Sequence, residues 1–257
     1  MTNKIARALV VLACGAGLVM AQAKQPKPKS QKEVDAIMAI QNATTPQARL
    51  AAIDNLLTKF ADTEYKPMVL AMAAGTAQQM GDMDKAIIYA EQTLDVDPKN
   101  YQAMLLLAQA WAGRTKEFDL DKEEKLGRAE KYANDAMAIL KTAESPNPAL
   151  TADQWTAAKK DLVSQGHEAL GSVAVVRKKY DVAIAEYKLA LDSGSSPDPA
   201  TLVRLAAAYG QAGKYDDEIA TVDKVLAMPD VHPQVKQVAT QEKARATQNK
   251  AKAATAK

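Results

Sequence analysis

The chain has 257 residues, of which 33 are basic and 31 acidic; 47% are hydrophobic but only 5% aromatic. That is enough apolar material for one domain or a short solenoid with a continuous core. The Ala-rich, aromatic-poor mixture suits close helix packing and argues against a β-sandwich, and no stretch alternates apolar and polar residues over strand length. The near-neutral total conceals an asymmetry. Setting aside Lys4, Arg7, the four lysines of residues 24–32 and the residues from 241 onward leaves 22 basic against 30 acidic residues in the body 33–240. An acidic body is a poor surface for nucleic acid, whose phosphates need clustered Lys and Arg.

The chain opens with a targeting pattern. Lys4 and Arg7 precede an apolar run from Ala8 to Met20, and Ala21-Gln22-Ala23 has the small-x-small form of a signal-peptidase site. The run is too short to span a bilayer, which takes about 20 apolar residues. The expectation is a signal peptide over 1–23, export to the periplasm or beyond, and a mature chain starting at Lys24. Cys14, the only cysteine, offers a competing reading. Val11-Leu12-Ala13-Cys14 loosely matches a lipobox, and lipidation there would place an apolar stretch after the cut instead of before it. Cleavage after Ala23 leaves no thiol, hence no disulfide, cysteine nucleophile or cysteine-held metal or haem.

Residues 24–32, rich in Lys and Pro, read as an extended linker. A helical pair is expected over 33–66: Val34, Ile37 and Met38 trace one face, Thr45 caps a second helix with Pro46 in its first turn, and Leu50, Ile53, Leu56, Leu57 and Phe60 give that helix its stripe. From Pro67 the chain repeats. Leu70, Ala73, Ala74 and Ala77 recur 34 residues later as Met104, Leu107, Ala108 and Trp111. Later copies carry Leu170-Gly171, Ala174, Tyr180, Ala183-Ile184, Tyr187 and Ala190-Leu191, then Leu202, Leu205-Ala206, Tyr209, Gly213, Tyr215, Glu218-Ile219 and Val225-Leu226.

A helical period of 34 with these residues resembles the tetratricopeptide repeat family. The resemblance covers roughly 67–232 in four repeats, with 33–66 as a degenerate extra one. It implies an all-α fold, a right-handed α-solenoid of stacked antiparallel helix pairs, A and B, in which each pair covers the apolar face of the last. Small residues at Ala74, Ala108, Gly171 and Ala206 let B approach A, and Ala86, Ala129 and Ala183 do the same from the other side. Repeat two departs from the pattern through an insertion near 114–125, which such architectures place in a loop on one face. Repeat four carries Glu218 where the others have Ala, which predicts looser packing. The segment 233–257 reads as a capping helix to about Ala246 and then a frayed basic tail.

No catalytic constellation emerges. Ser164 and His167 share a helix face, but nothing supplies an orienting group or oxyanion site, and His167 reads as a surface residue. Asp119, Asp121, Glu123 and Glu130 have calcium-loop offsets, but Glu124 stands where the loop needs Gly; the plainer reading is helix capping by Asp119 or Asp121. No phosphate loop, zinc spacing or cofactor motif is present, so no cofactor, metal or enzymatic activity is expected.

The resemblance implies that A helices line a concave, peptide-binding groove. The matching positions are Met68, Ala71, Met72 and Gln78, then Gln102, Leu105 and Gln109, then Gln165, Glu168 and Ser172, then Val203 and Ala207. This lining lacks the Lys/Asn clamp that some members use for acidic C-termini. Its Met and Gln favour an apolar helix or extended segment of a protein partner. The expected function is a protein-interaction scaffold of the cell envelope. The alternative is a carbohydrate- or peptidoglycan-binding accessory, which would stack sugars on open aromatic rings; Trp111 and Tyr209 read as core residues. The basic ends read as solvated tails, with weak attraction to anionic envelope polymers as the sharper possibility.

Overall fold

The computed structural model describes residues 26–147 and 149–255. The expected signal peptide and Cys14 lie outside them. The described residues form eleven helices and no strand: α1 (Gln31–Gln41), α2 (Pro46–Lys59), α3 (Lys66–Gln79), α4 (Met83–Val96), α5 (Tyr101–Arg114), α6 (Lys122–Leu140), α7 (Ala152–Val176), α8 (Tyr180–Ser193), α9 (Pro199–Gln211), α10 (Tyr215–Ala227) and α11 (Pro233–Thr255). They form two compact units. One holds the described residues up to Leu106 together with Ala143–Asp153; the other holds Leu107–Thr142 and the residues from Gln154 on.

Helix starts follow from local chemistry. Ser30, Thr45, Asp82 and Asp198 stand at N-caps, and their side chains accept from the backbone N–H of Glu33, Ala48, Lys85 and Thr201. Each satisfies a donor that a helix start leaves unpaired. Pro46 and Pro199 follow directly, where a missing N–H costs nothing.

The A-to-B turn is the same device three times. The backbone N–H of Asp82, Lys179 and Lys214 donates to the carbonyl of Ala77, Ala174 and Tyr209 at 3.0, 2.8 and 2.9 Å. The closure needs a left-handed residue, which Gly81 (φ +76°) and Gly213 (φ +72°) supply without strain. In the third case Lys178 adopts φ +58°, at a cost of about 1–2 kcal/mol for a side-chain-bearing residue.

In the first unit α1 packs on α2, α2 on α3 and α3 on α4. Ile53, Leu56, Val69, Leu70, Ala73, Ala77, Ala86 and Ala90 are buried there. In the second unit the core runs through successive clusters: Ala112, Leu126, Ala129 and Val173; Ala108, Ala133 and Ala169; Ala174, Ala183, Ile184, Tyr187, Leu205 and Tyr209; and Leu202, Ala206, Val222, Val225 and Ala239. The small residues do the work expected of them. A Cβ on Gly171 would stand 2.5 Å from the Tyr187 ring, so only glycine lets α8 lie this close to α7.

Both described ends differ from the sequence expectation. Residues 26–30 are extended but pinned. The Tyr65 hydroxyl donates to the Pro26 carbonyl (2.9 Å), Lys27 N–H to Glu64 (3.0 Å), Lys29 N–H to Glu33 (2.6 Å), and Lys29 Nζ to the Asp62 carbonyl (2.7 Å) and carboxylate (2.5 Å). The segment packs through its backbone, which composition does not register. At the other end α11 continues to Thr255. Lys243 pairs with Asp223 at 2.6 Å, Arg245 with Glu218 at 3.1 Å and Lys250 with Asp216. These charges face α10 instead of forming a solvated tail.

Candidate functional site

In the first unit α3 buries Val69, Leu70, Ala73, Ala74, Thr76 and Ala77 and turns Met68, Ala71, Met72, Gly75 and Gln78 outward. These recur at three- and four-residue intervals and so form one stripe. Met68 and Met72 are 38% and 37% exposed, an apolar pair left in water on an otherwise well-buried helix. On α5, Gln102 is exposed and Gln109, which falls in the second unit, is half-buried.

Leu105 corrects the predicted lining. It is only 2% exposed, and Ala103 through Ala108 are all buried. The helical period places Leu105 on the open stripe, but α5 is covered all round this segment, which a single-face rule cannot anticipate. A charge at Leu105 would therefore disrupt the fold and cannot report on binding.

In the second unit the predicted positions are half-buried and largely engaged. Glu168 of α7 accepts from the Thr201 hydroxyl, and Arg204 of α9 lies 3.5 Å from the same carboxylate. Ser172 bonds to the Glu168 carbonyl (3.0 Å) and lies 3.2 Å from the Tyr187 hydroxyl; burial pushes that phenol up. Gln165, Val203 and Ala207 are half-buried beside them. This face is a polar lattice joining α7 to α8 and α9, unlike the Met-bearing stripe of α3. His167 is likewise not a surface residue: Nδ1 sits 2.8 Å from Glu186 Oε2, and both side chains are mostly buried. The contact ties α7 to α8, so His167 serves packing.

The acids of the insertion are occupied too. Lys125 reaches Asp121 at 2.8 Å and Asp119 at 3.7 Å, and Asp121 makes no side-chain cap to α6. No group of potential metal ligands occurs among the described residues, and none of their helices is long and apolar enough to cross a membrane.

Two carboxylates are fully buried: Glu33, which the sequence reading did not single out, and Glu218, which it read as loosening repeat four. Glu33 is fully buried; its Oε1 accepts from the Thr63 hydroxyl (2.6 Å) and its Oε2 from Lys29 N–H (2.6 Å). Glu218 is also fully buried, and Arg245 of α11 donates to its Oε1 at 3.1 Å. Repeat four is thus not looser. Gly210 leaves the room, since a Cβ there would collide with the Glu218 carboxylate. Burial pushes the Glu218 carboxyl above its usual range, Arg245 opposes that shift and Glu242 adds to it. The clue was available in sequence: a glycine eight residues before the one Glu that replaces the repeat's small residue.

Residues 72–137 match the family model for the tetratricopeptide repeat. Among solved structures, a thermophilic tetratricopeptide-repeat protein of Thermus thermophilus is similar at 19% identity, covering 82% of this chain and 95% of that one, with a TM-score of 0.54. A tetratricopeptide-repeat protein of Parabacteroides merdae aligns at 14% identity over 88% and 93%, with a TM-score of 0.45. The protein MamA aligns at 15% identity over 74% and 90%, also at 0.45. No curated protein matches the sequence. The helix pairs and the first of these structures establish a tetratricopeptide-type helical fold. Proteins of this fold generally act as protein–protein interaction scaffolds.

Proposed function

We propose that this protein is a non-enzymatic interaction scaffold, exported to the cell envelope, that takes an apolar helix or extended segment of a partner protein on the open face of α3. The observation that carries this reading is the exposure of Met68 and Met72 on a helix whose other side is buried throughout. Methionine on such a face adapts its shape to different apolar partners. Export rests on Lys4, Arg7, the apolar run and Ala21-Gln22-Ala23, a pattern seen in bacterial secretory leaders. The hydrogen bonds that pin the N-terminal segment fall at Pro26, Lys27 and Lys29, so cleavage after Ala23 would leave that anchor whole.

The carbohydrate reading draws less support. Tyr209 is buried in the core with Lys188 over its ring, and Trp111 is part-buried with Arg128 stacked 5.1 Å from its ring centre. Neither offers an open face to a sugar.

The test begins with affinity capture from an envelope extract, followed by titration of the captured protein. Met68→Asp with Met72→Asp should weaken binding at least about tenfold, roughly 1.4 kcal/mol, while melting with the wild type because both positions are exposed. Affinity should change little with salt, since apolar burial is barely screened. Normal binding by the double variant would remove α3 from the site. Intact mass of the exported protein tests localisation separately: a start at Lys24 agrees with the reading, and a lipidated Cys14 overturns it.

A further inference from the structure

The ten methionines of the chain are sorted sharply where the structure describes them. Met104 is buried, and Met80, Met83, Met137 and Met228 are half-buried. Met38 of α1 stands open at 42%, comparable to Met68 and Met72 on α3. On these two helices every exposed large apolar residue is a methionine. Met38 precedes Met72 by 34 residues, one repeat period, so the two hold the same place in successive helix pairs. The Thr63 hydroxyl, just ahead of α3, donates to the Glu33 carboxylate of α1 at 2.6 Å. Met38 and Met68 each follow five residues after that bond, which sets them at a similar height. Met68 and Met72 are one helical turn apart. The open face of the first unit is therefore a patch of thioethers reaching from α1 to α3.

A thioether is soft and polarizable, and it is the oxidisable group of this surface. Cleavage after Ala23 would remove Cys14, the only cysteine, and leave no thiol on the chain to take an oxidant first. The envelope also lacks the thiol reductants that keep cytosolic sulfur reduced. Met68 and Met72 are the residues on which the proposed docking depends, so their oxidation state sets whether that face is apolar.

We propose that Met38, Met68 and Met72 form a reversible oxidation site, and that peroxide acting there switches off partner docking on the open face. The inference rests on the docking reading above and adds its regulation. A sulfur lone pair takes one oxygen from the peroxide: the O–O bond breaks, an S–O bond forms, the thioether loses two electrons, and the peroxide leaves as water or an alcohol. The sulfoxide is polar and chiral where the thioether was apolar. An apolar segment laid on it would strip water from a strong dipole without replacing its hydrogen bonds. A thiol-dependent sulfoxide reductase reverses the step: the oxygen leaves as water and two thiols become a disulfide. The fold is untouched, because these three side chains are open to solvent and Met104, in the core, is shielded.

Titration of hydrogen peroxide onto the folded chain tests it. Peptide mapping by mass should find an added oxygen on Met38, Met68 and Met72 before any on Met104, and the oxidised chain should melt with the untreated one. Its affinity for the captured protein should fall at least about tenfold and return after treatment with methionine sulfoxide reductase and a dithiol. Met38→Leu with Met68→Leu and Met72→Leu keeps apolar volume and helix preference, so this variant should bind like wild type both before and after peroxide. Oxidation of Met104 in step with the other three, a chain that unfolds on oxidation, an oxidised wild type of unchanged affinity, or a triple variant that peroxide still disables would each overturn the switch. Unchanged affinity after oxidation alongside weak binding by Met68→Asp with Met72→Asp would remove the switch and leave the docking reading standing. Normal binding by that double Asp variant, or the capture of nothing, would remove both.

Discussion

Each described end of this protein is fastened by a fully buried glutamate, and the two are fastened by different physics. Glu33 is met by neutral donors, a threonine hydroxyl and a backbone N–H, which tie an extended segment to the first unit. Glu218 is met by a cation, Arg245, carried on α11, which buries only Ala239 and Ala246. α11 therefore adds an ion pair to the apolar contact that Ala239 and Val235 make with the core, while the N-terminal segment is held mostly through its backbone. The comparison shows that the two buried glutamates of one protein can be satisfied differently, Glu33 by neutral donors and Glu218 by a cation.

The largest effect should come from Arg245→Leu. Stripping the partner from a fully buried ion pair costs about 3–5 kcal/mol. Arg245 is 46% exposed on its side chain, and Glu218 can take up a proton once alone, so about 2–3 kcal/mol is expected, read by urea unfolding. A loss under about 0.5 kcal/mol, the scale of a surface pair, would break the contrast.

Glu33→Ala should follow at about 2 kcal/mol, since it strands two donors and opens a cavity. Glu33→Gln sharpens the point. Its amide oxygen can accept from Lys29 N–H while its NH₂ donates to Thr63, so it should stay within about 1 kcal/mol of wild type, the scale of one hydrogen bond. A Gln variant as damaged as Ala would show that charge matters at this end too.

The smallest effect is in pH. Glu218 has its folded pKa raised above the ordinary glutamate value of 4.5, first by burial and further by Glu242, with Arg245 opposing. A raised carboxyl gives stability that is complete below the unfolded pKa and lost as pH climbs through the folded one. Glu218→Gln cannot titrate, so it should gain on wild type as pH rises from about 4.5 and then hold level. A gap that narrows with rising pH would reverse the sign.

Much of this was legible in the sequence. The period of 34, the Thr45 cap, the small residues between A and B and the site of the insertion follow from periodicity and turn chemistry, which act locally. What was not legible depends on neighbours distant in sequence. Leu105 has the spacing of an open-face residue but is covered. Lys243, Arg245 and Lys250 read as a tail because their acids lie a helix away, in α10. Lys27 and Lys29 read as a linker because the bonds that hold them are mostly backbone bonds. Of the predicted binding positions, Met68, Met72 and Gln78 of α3 stand open, Ala71 is half-buried, Leu105 is covered, and Glu168 and Ser172 are committed to a lattice.

The central claim is that each described end of the chain is fastened by its own buried glutamate. Hydrogen exchange on wild type, Arg245→Leu and Glu33→Ala tests this most directly, because it reads opening free energy segment by segment. Arg245→Leu should lose protection across α10 and α11 and keep it across α1 and α2. Glu33→Ala should lose protection over 26–41 and leave α10 and α11 unchanged. Loss of protection at both ends in either variant would contradict the account.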